Sequence, residues 1–132
     1  MPVDAEDLAD IPLFDTLSRP DREALAGSFE EKAVSEGTRL LGEGAAGYSF
    51  FVLAEGEAEV SVDGVAIATL GAGDYFGEMA ILGDGRRVAT VTATSPVKVF
   101  VMFGTEFRSL QAAHPEVADQ IQALVRERSA ML

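Results

Sequence analysis

The chain has 132 residues, of which 22 are acidic and 10 basic, giving a formal net charge of −12, with no Cys, no Trp and one His. Such a charge repels phosphate backbones and excludes nucleic acid as an expected partner. The missing thiols exclude a disulfide framework, a Cys nucleophile and thiolate metal sites, and they fit a cytoplasmic setting. A single His cannot build a His-cluster metal centre, so no metal is expected, and a Ser-His-Asp triad would have to use His114. That residue stands in Ala113-His114-Pro115 between two helix-like segments and reads as a linker. No run approaches the roughly 18 apolar residues of a membrane span, and MPVDAEDLAD lacks the pattern of a signal peptide. At 48% hydrophobic, the chain can bury a core suited to one domain over 1–132.

In chain order, the first helical signal is Ser18 with Asp21 three residues later, Pro20 in the first turn, and Leu25 and Phe29 at helical spacing. This predicts a helix over 18–29, within an N-terminal helical segment 1–30. Eleven of the thirteen glycines then fall between Gly37 and Gly85, which makes the middle of the chain turn-rich. Strands are expected over 48–53, 57–63, 88–93 and 97–103. In EAEVSVD, Ala58, Val60 and Val62 alternate with Glu57, Glu59, Ser61 and Asp63, the period of a half-buried strand. Asp63-Gly64 reads as a two-residue hairpin turn into VAIATL, because both central positions of such a turn need positive φ. Short strands at regular spacing point to a mainly β fold with flanking helices, a small antiparallel barrel or jelly roll, with the β-roll placed over 31–103.

After Phe103 the period changes. Thr105 is expected to cap a helix carrying Phe107 and Leu110, and Pro115 to open another that runs to the end, over 104–132. There Val117, Ile121, Leu124 and Arg128 share one stripe, with Arg126 nearly opposite. An arginine in an apolar stripe snorkels, pairs with an acid, or covers a flat ring such as a purine.

The run that carries chemistry is DYFGEMAILGDGRRVATV, 74–91. Gly77 lets the backbone approach a ligand, and Glu78-Met79-Ala80-Ile81-Leu82 can form one helical turn whose free N–H groups favour an anion. Arg87 can close that site with two charge-assisted hydrogen bonds to a phosphate. Glu78, a poor neighbour for phosphate, is a good acceptor for a sugar hydroxyl. Together the pair fits a sugar phosphate; the plainer reading is an exposed ion pair, which contributes only about 0–1 kcal/mol.

FGEMAIL…RRVATV, Phe76 to Val91, resembles the phosphate-binding cassette of the cyclic nucleotide-binding domain family, which includes domains of kinase regulatory subunits, bacterial channels and catabolite activator-type proteins. GEGAAGYSFFVLAEGEAEV, Gly42 to Val60, is similar to the family's strand and glycine turn, here at Gly56. The resemblance implies an eight-stranded roll with a short cassette helix and C-terminal helices acting as a lid. It also implies a regulatory sensor without catalytic residues. Glu78 would accept the ribose 2′-hydroxyl and Arg87 would bind the cyclic phosphate. Gly77, Met79, Ala80 and Val88 would complete the ligand-binding set, and Arg128 would cover the base, with Leu124, Met131 and Leu132 as alternatives.

Two departures from the family pattern bear on specificity. Arg86 stands where Pro is frequent and either adds phosphate attraction or faces solvent. Val88 lacks the hydroxyl that helps hold guanine, which tilts the expected ligand to 3′,5′-cyclic AMP (cAMP), with cGMP also compatible. The partners implied are the nucleotide and an effector protein or domain, with apolar residues in both flanking helices compatible with a homodimer. The competing class is a protein-interaction scaffold that keeps the roll but binds no nucleotide, its acidic surface suited to a basic partner.

Overall fold

The structure is a computed structural model that describes residues 1–41, 49–77 and 89–130, with side chains as far as Glu127. Among the described residues, eight strands form two four-stranded antiparallel sheets. They are β1 (Glu30–Val34), β2 (Arg39–Leu41), β3 (Ser49–Glu55), β4 (Ala58–Val62), β5 (Val65–Leu70), β6 (Tyr75–Phe76), β7 (Thr90–Ala93) and β8 (Val97–Phe103). The first sheet runs β1-β8-β3-β6 and the second β2-β7-β4-β5. Helices flank this roll: α1 (Ala5–Ala9), a 3₁₀ turn at Pro12–Phe14 and α2 (Arg19–Ala26) before it, α3 (Gly104–Ala113) and α4 (Pro115–Ala130) after it. The fold is mainly β with flanking helices, as the strand spacing and turn chemistry require. None of the described helices is long and apolar enough to cross a membrane.

The two faces of the first sheet explain its sequence. In β3, Phe50 and Val52 point into a cluster with Leu8, Phe14, Leu25, Phe29 and Ile121 beneath the helices. Their neighbours Phe51 and Leu53 point the other way, into an inter-sheet cluster with Phe76, Val91 and Val99. The same alternation divides β8: Phe100 and Met102 face the helices, Val97, Val99 and Val101 the second sheet. A strand covered on both faces needs no polar side, so SFFVLAE and VKVFVMF read as apolar runs rather than alternating ones. β4 shows the other case. Ala58 is buried in the inter-sheet cluster while its neighbour Glu59 is exposed, and β5, at the edge of the second sheet, exposes Val65 and Ile67.

Local expectations meet the structure with three differences. The Asp63-Gly64 hairpin forms as expected, with φ of 51° and 79° at its two central residues. Ser18 caps α2, accepting from the Asp21 N–H at 3.3 Å, but the helix ends at Ala26 rather than reaching Phe29. The Gly27 N–H closes on the Glu23 carbonyl and the Phe29 N–H on that of Ala26, so the chain turns and Phe29 enters the core ahead of β1. Thr105 does not cap α3. Phe103 holds the N-cap position with no side-chain bond, and Thr105 lies in the first turn, its carbonyl accepting from Ser109 Oγ at 3.1 Å. The third difference is α1, which the sequence reading passed over. Its capping box is complete, with Asp4 and Asp7 each accepting the other's N–H at 3.0 and 2.9 Å, and Leu8 anchors it in the core.

His114 lies between α3 and α4, its N–H donating to the Leu110 carbonyl at 2.7 Å, in the linker position expected of it. α4 begins at Pro115 and buries Val117, Ala118, Ile121 and Val125. Its buried face is therefore centred one residue away from the stripe read from the sequence. Leu124 sits half-buried at its margin, and Arg126 is exposed on the far side.

Candidate functional site

The segment joining β6 to β7 carries glycine, carboxylate and guanidinium groups close together in the sequence. Its two ends are fixed in different sheets. On the entering side, β6 pairs with β3 in the register Phe51 to Phe76 and Val52 to Tyr75. The Leu53 N–H donates to the Asp74 carbonyl at 2.8 Å, and the Gly73 N–H to the Leu53 carbonyl at 2.7 Å. The Asp74 carboxylate accepts from the Gly71 N–H at 2.8 Å, closing the preceding turn.

Tyr75 and Phe76 then point to opposite cores. Phe76 stacks on Phe51 with ring centres 4.8 Å apart and planes 9° from parallel, inside the roll. Tyr75 packs against Phe50 at 5.7 Å, on the helix side. Gly77 follows, buried and with φ +76°, a conformation that L residues adopt only at a cost. On the leaving side, β7 lies between β2 and β4, with Thr90 opposite Ser61 and Val91 opposite both Val60 and Leu41. The strands on either side of this segment are thus held by ladder and core contacts, β6 in one sheet and β7 in the other.

Of the site residues expected from the sequence, Gly77 is described, and its backbone is left-handed. Glu78, Met79, Ala80, Arg87 and Val88 lie outside the described residues, as do Arg86 and the stretch Gly42 to Tyr48. Arg128 belongs to α4, but its side chain is outside the described set, as are Met131 and Leu132.

The charge around the described surface narrows where an anion can go. A cavity of about 520 Å³ near α1 is lined by Asp4, Glu6, Asp7, Asp10, Glu31 and Glu55, with Lys98 as its single cation. Lys98 is already engaged, 3.6 Å from Glu55 and 4.0 Å from Glu31. A phosphate would meet net repulsion there. One contact escaped sequence reasoning: the Tyr75 hydroxyl donates to the Val125 carbonyl of α4 at 3.4 Å. A tyrosine beside Phe-Gly-Glu carries no signal of that reach, since its partner is 50 residues away.

The family profile described as "Cyclic nucleotide-binding domain" matches residues 31–114, from β1 through α3. The chain belongs to the cyclic nucleotide-binding domain family. It is 40% identical over 111 residues to a cAMP-dependent protein kinase regulatory subunit of Eremothecium gossypii, covering 83% of this chain and 24% of that protein. A cyclic nucleotide-gated potassium channel of Rhizobium etli is 30% identical over 121 residues, 92% of this chain and 34% of the channel. This cyclic nucleotide-binding domain therefore spans about a quarter to a third of the length of these two relatives. Among solved structures, the regulatory domain of Toxoplasma gondii PKA with cAMP superposes with a TM-score of 0.79 at 22% identity. That match covers 97% of this chain and 49% of that one, and it shows the shared fold.

Proposed function

We propose that residues 1–132 form one non-catalytic sensor domain that binds a 3′,5′-cyclic nucleotide, cAMP in preference to cGMP, and closes α4 over the base. The observation that carries this reading is the run from Phe76 to Val91, which lies inside the family match and retains both Glu78 and Arg87 at the family spacing. Arg87 holds the cyclic phosphate through a two-pronged contact, and Glu78 accepts the 2′-hydroxyl. Gly77, Met79, Ala80 and Val88 line the cradle, and Val88 offers no hydroxyl to guanine. Arg128 covers the purine from α4.

The described geometry supports this reading at its edges. Gly77 has a left-handed backbone that glycine adopts readily, and the strands on either side, β6 and β7, are each anchored in a sheet. The domain would report occupancy to an effector protein or domain, in a reducing cytoplasmic setting consistent with a chain without Cys. The kinase regulatory subunit among the relatives makes a protein effector the natural class of partner.

The ribose assignment has its own test. Glu78→Gln should weaken cAMP by about tenfold while changing the affinity for 2′-deoxy-cAMP little, because the charge-assisted bond of roughly 1.5–3 kcal/mol exists only with the hydroxyl present. Equal losses for both ligands, measured by calorimetry, would reject that role for Glu78.

A further inference from the structure

We propose that Tyr75 is a positioning residue that couples the cassette to α4 through its hydroxyl; this deepens the sensor reading and rests on it. The argument begins with where Tyr75 stands. It is two residues ahead of Gly77 and three ahead of Glu78, on the strand that delivers the cassette. Its backbone is held by β3 opposite Val52, and its ring continues a chain of aromatic contacts. Phe14 meets Phe29 at 6.0 Å, Phe29 meets Phe50 at 6.3 Å, and Phe50 meets Tyr75 at 5.7 Å.

These contacts fix the direction of the ring. From that fixed base, the hydroxyl reaches the Val125 carbonyl in the middle of α4. Val125 is itself fully buried, so the acceptor sits where α4 meets the core rather than on its solvent face.

Other contacts of α4 tie it elsewhere. Val117, Ala118 and Ile121 pack in the helical core, and Gln120 Nε2 donates to Asp21 Oδ2 of α2 at 3.3 Å. The tyrosine bond differs in kind, because its donor is carried by the strand that ends in the ligand cradle. A shift of that strand as the cradle fills must lengthen or shorten this bond, and a shift of α4 acts back on the cradle by the same free energy. One hydroxyl gives a directional link that apolar packing alone does not, since packed side chains can slide while a hydrogen bond weakens steeply with angle and distance.

Tyr75→Phe tests the link, since it keeps the ring against Phe50 and removes the hydroxyl that reaches Val125. The chain has no native Cys, so Ala123→Cys, at an exposed position of α4, gives a single site for an environment-sensitive fluorophore. With the labelled full chain and cAMP as ligand, Tyr75→Phe should raise the dissociation constant about threefold, within the range one neutral hydrogen bond supplies. It should also cut the fluorescence change at saturation by at least half, while the urea midpoint moves little.

Unchanged or tighter binding would overturn the proposal. Weaker binding with an unaltered fluorescence change would also overturn it, because the effect would then lie in the cassette alone. If calorimetry finds no cAMP binding to the unsubstituted chain, the sensor reading itself fails and the coupling falls with it, an outcome distinct from the other two.

Discussion

Arg87→Ala should lower the affinity for cAMP at least tenfold, with fold and melting temperature nearly unchanged. A guanidinium that grips a phosphate makes two parallel charge-assisted bonds, each worth roughly 1.5–3 kcal/mol when sheltered, and about 1.4 kcal/mol is already a factor of ten. The background charge sharpens the expectation. In a molecule with a net charge of −12, a phosphate gains nothing from the surroundings at large, so its binding depends on local cations. Arg86 stands next to Arg87, which makes Arg86→Ala the internal control, expected to cost less than Arg87→Ala. Isothermal calorimetry at fixed ionic strength measures both. An Arg87→Ala affinity equal to that of the unsubstituted chain would remove the phosphate assignment.

Gly56→Ala should destabilise the fold by about 3 kcal/mol or more, a sum of backbone strain of roughly 1–3 kcal/mol and a steric clash. Gly56 makes the turn between β3 and β4 with φ +93°. A Cβ built there would come within 2.4 Å of the Pro96 carbonyl oxygen and 2.7 Å of Val97 Cγ1. Neither neighbour can easily yield. Val97 is buried in the inter-sheet core, and Pro96 belongs to a turn pinned from two sides. There the Glu57 N–H donates to Ser95 Oγ and the Thr94 N–H to the Glu57 carbonyl, both at 3.0 Å. Gly64→Ala is the comparison, because φ is +79° there but nothing beyond the adjacent residues lies within 4 Å of the added carbon. Urea denaturation should therefore show a clearly larger loss at Gly56 than at Gly64. Equal losses would mean that backbone strain alone decides both positions.

Much of this fold is legible in the sequence where local chemistry and tertiary demand agree. Val97 to Phe103 is read as a strand with its observed bounds, since a long β-branched and aromatic run has few alternatives. Asp63-Gly64 announces its hairpin because so few residue pairs accept two positive φ values in a row. Elements stabilised by distant partners are harder to see. α1 has five residues, too few for a periodic signal, and its stability comes from a reciprocal cap and the burial of Leu8. β1, with Glu30, Glu31 and Lys32, looks like a solvated stretch, yet it pairs along its whole length with β8.

The face of α4 illustrates a finer limit. A stripe through Val117, Ile121, Leu124 and Arg128 and one through Val117, Ile121 and Val125 differ by a small rotation, and packing against Phe50 and its neighbours selects the second. For the site, the sequence names the candidate groups, Glu78 and Arg87, through their resemblance to the family's cassette. The link from Tyr75 to Val125 is beyond it, because that contact exists only once two elements far apart in the chain have docked.

The most direct measurement is a calorimetric titration of the unsubstituted chain with cAMP, cGMP and 5′-AMP in turn. A cradle closed by one guanidinium and a ribose-binding carboxylate should give saturable heat with cAMP, weaker binding of cGMP, and weaker binding still of 5′-AMP, whose second phosphate charge meets an acidic molecule. No saturable heat with cAMP, or equal heats for all three, would contradict it.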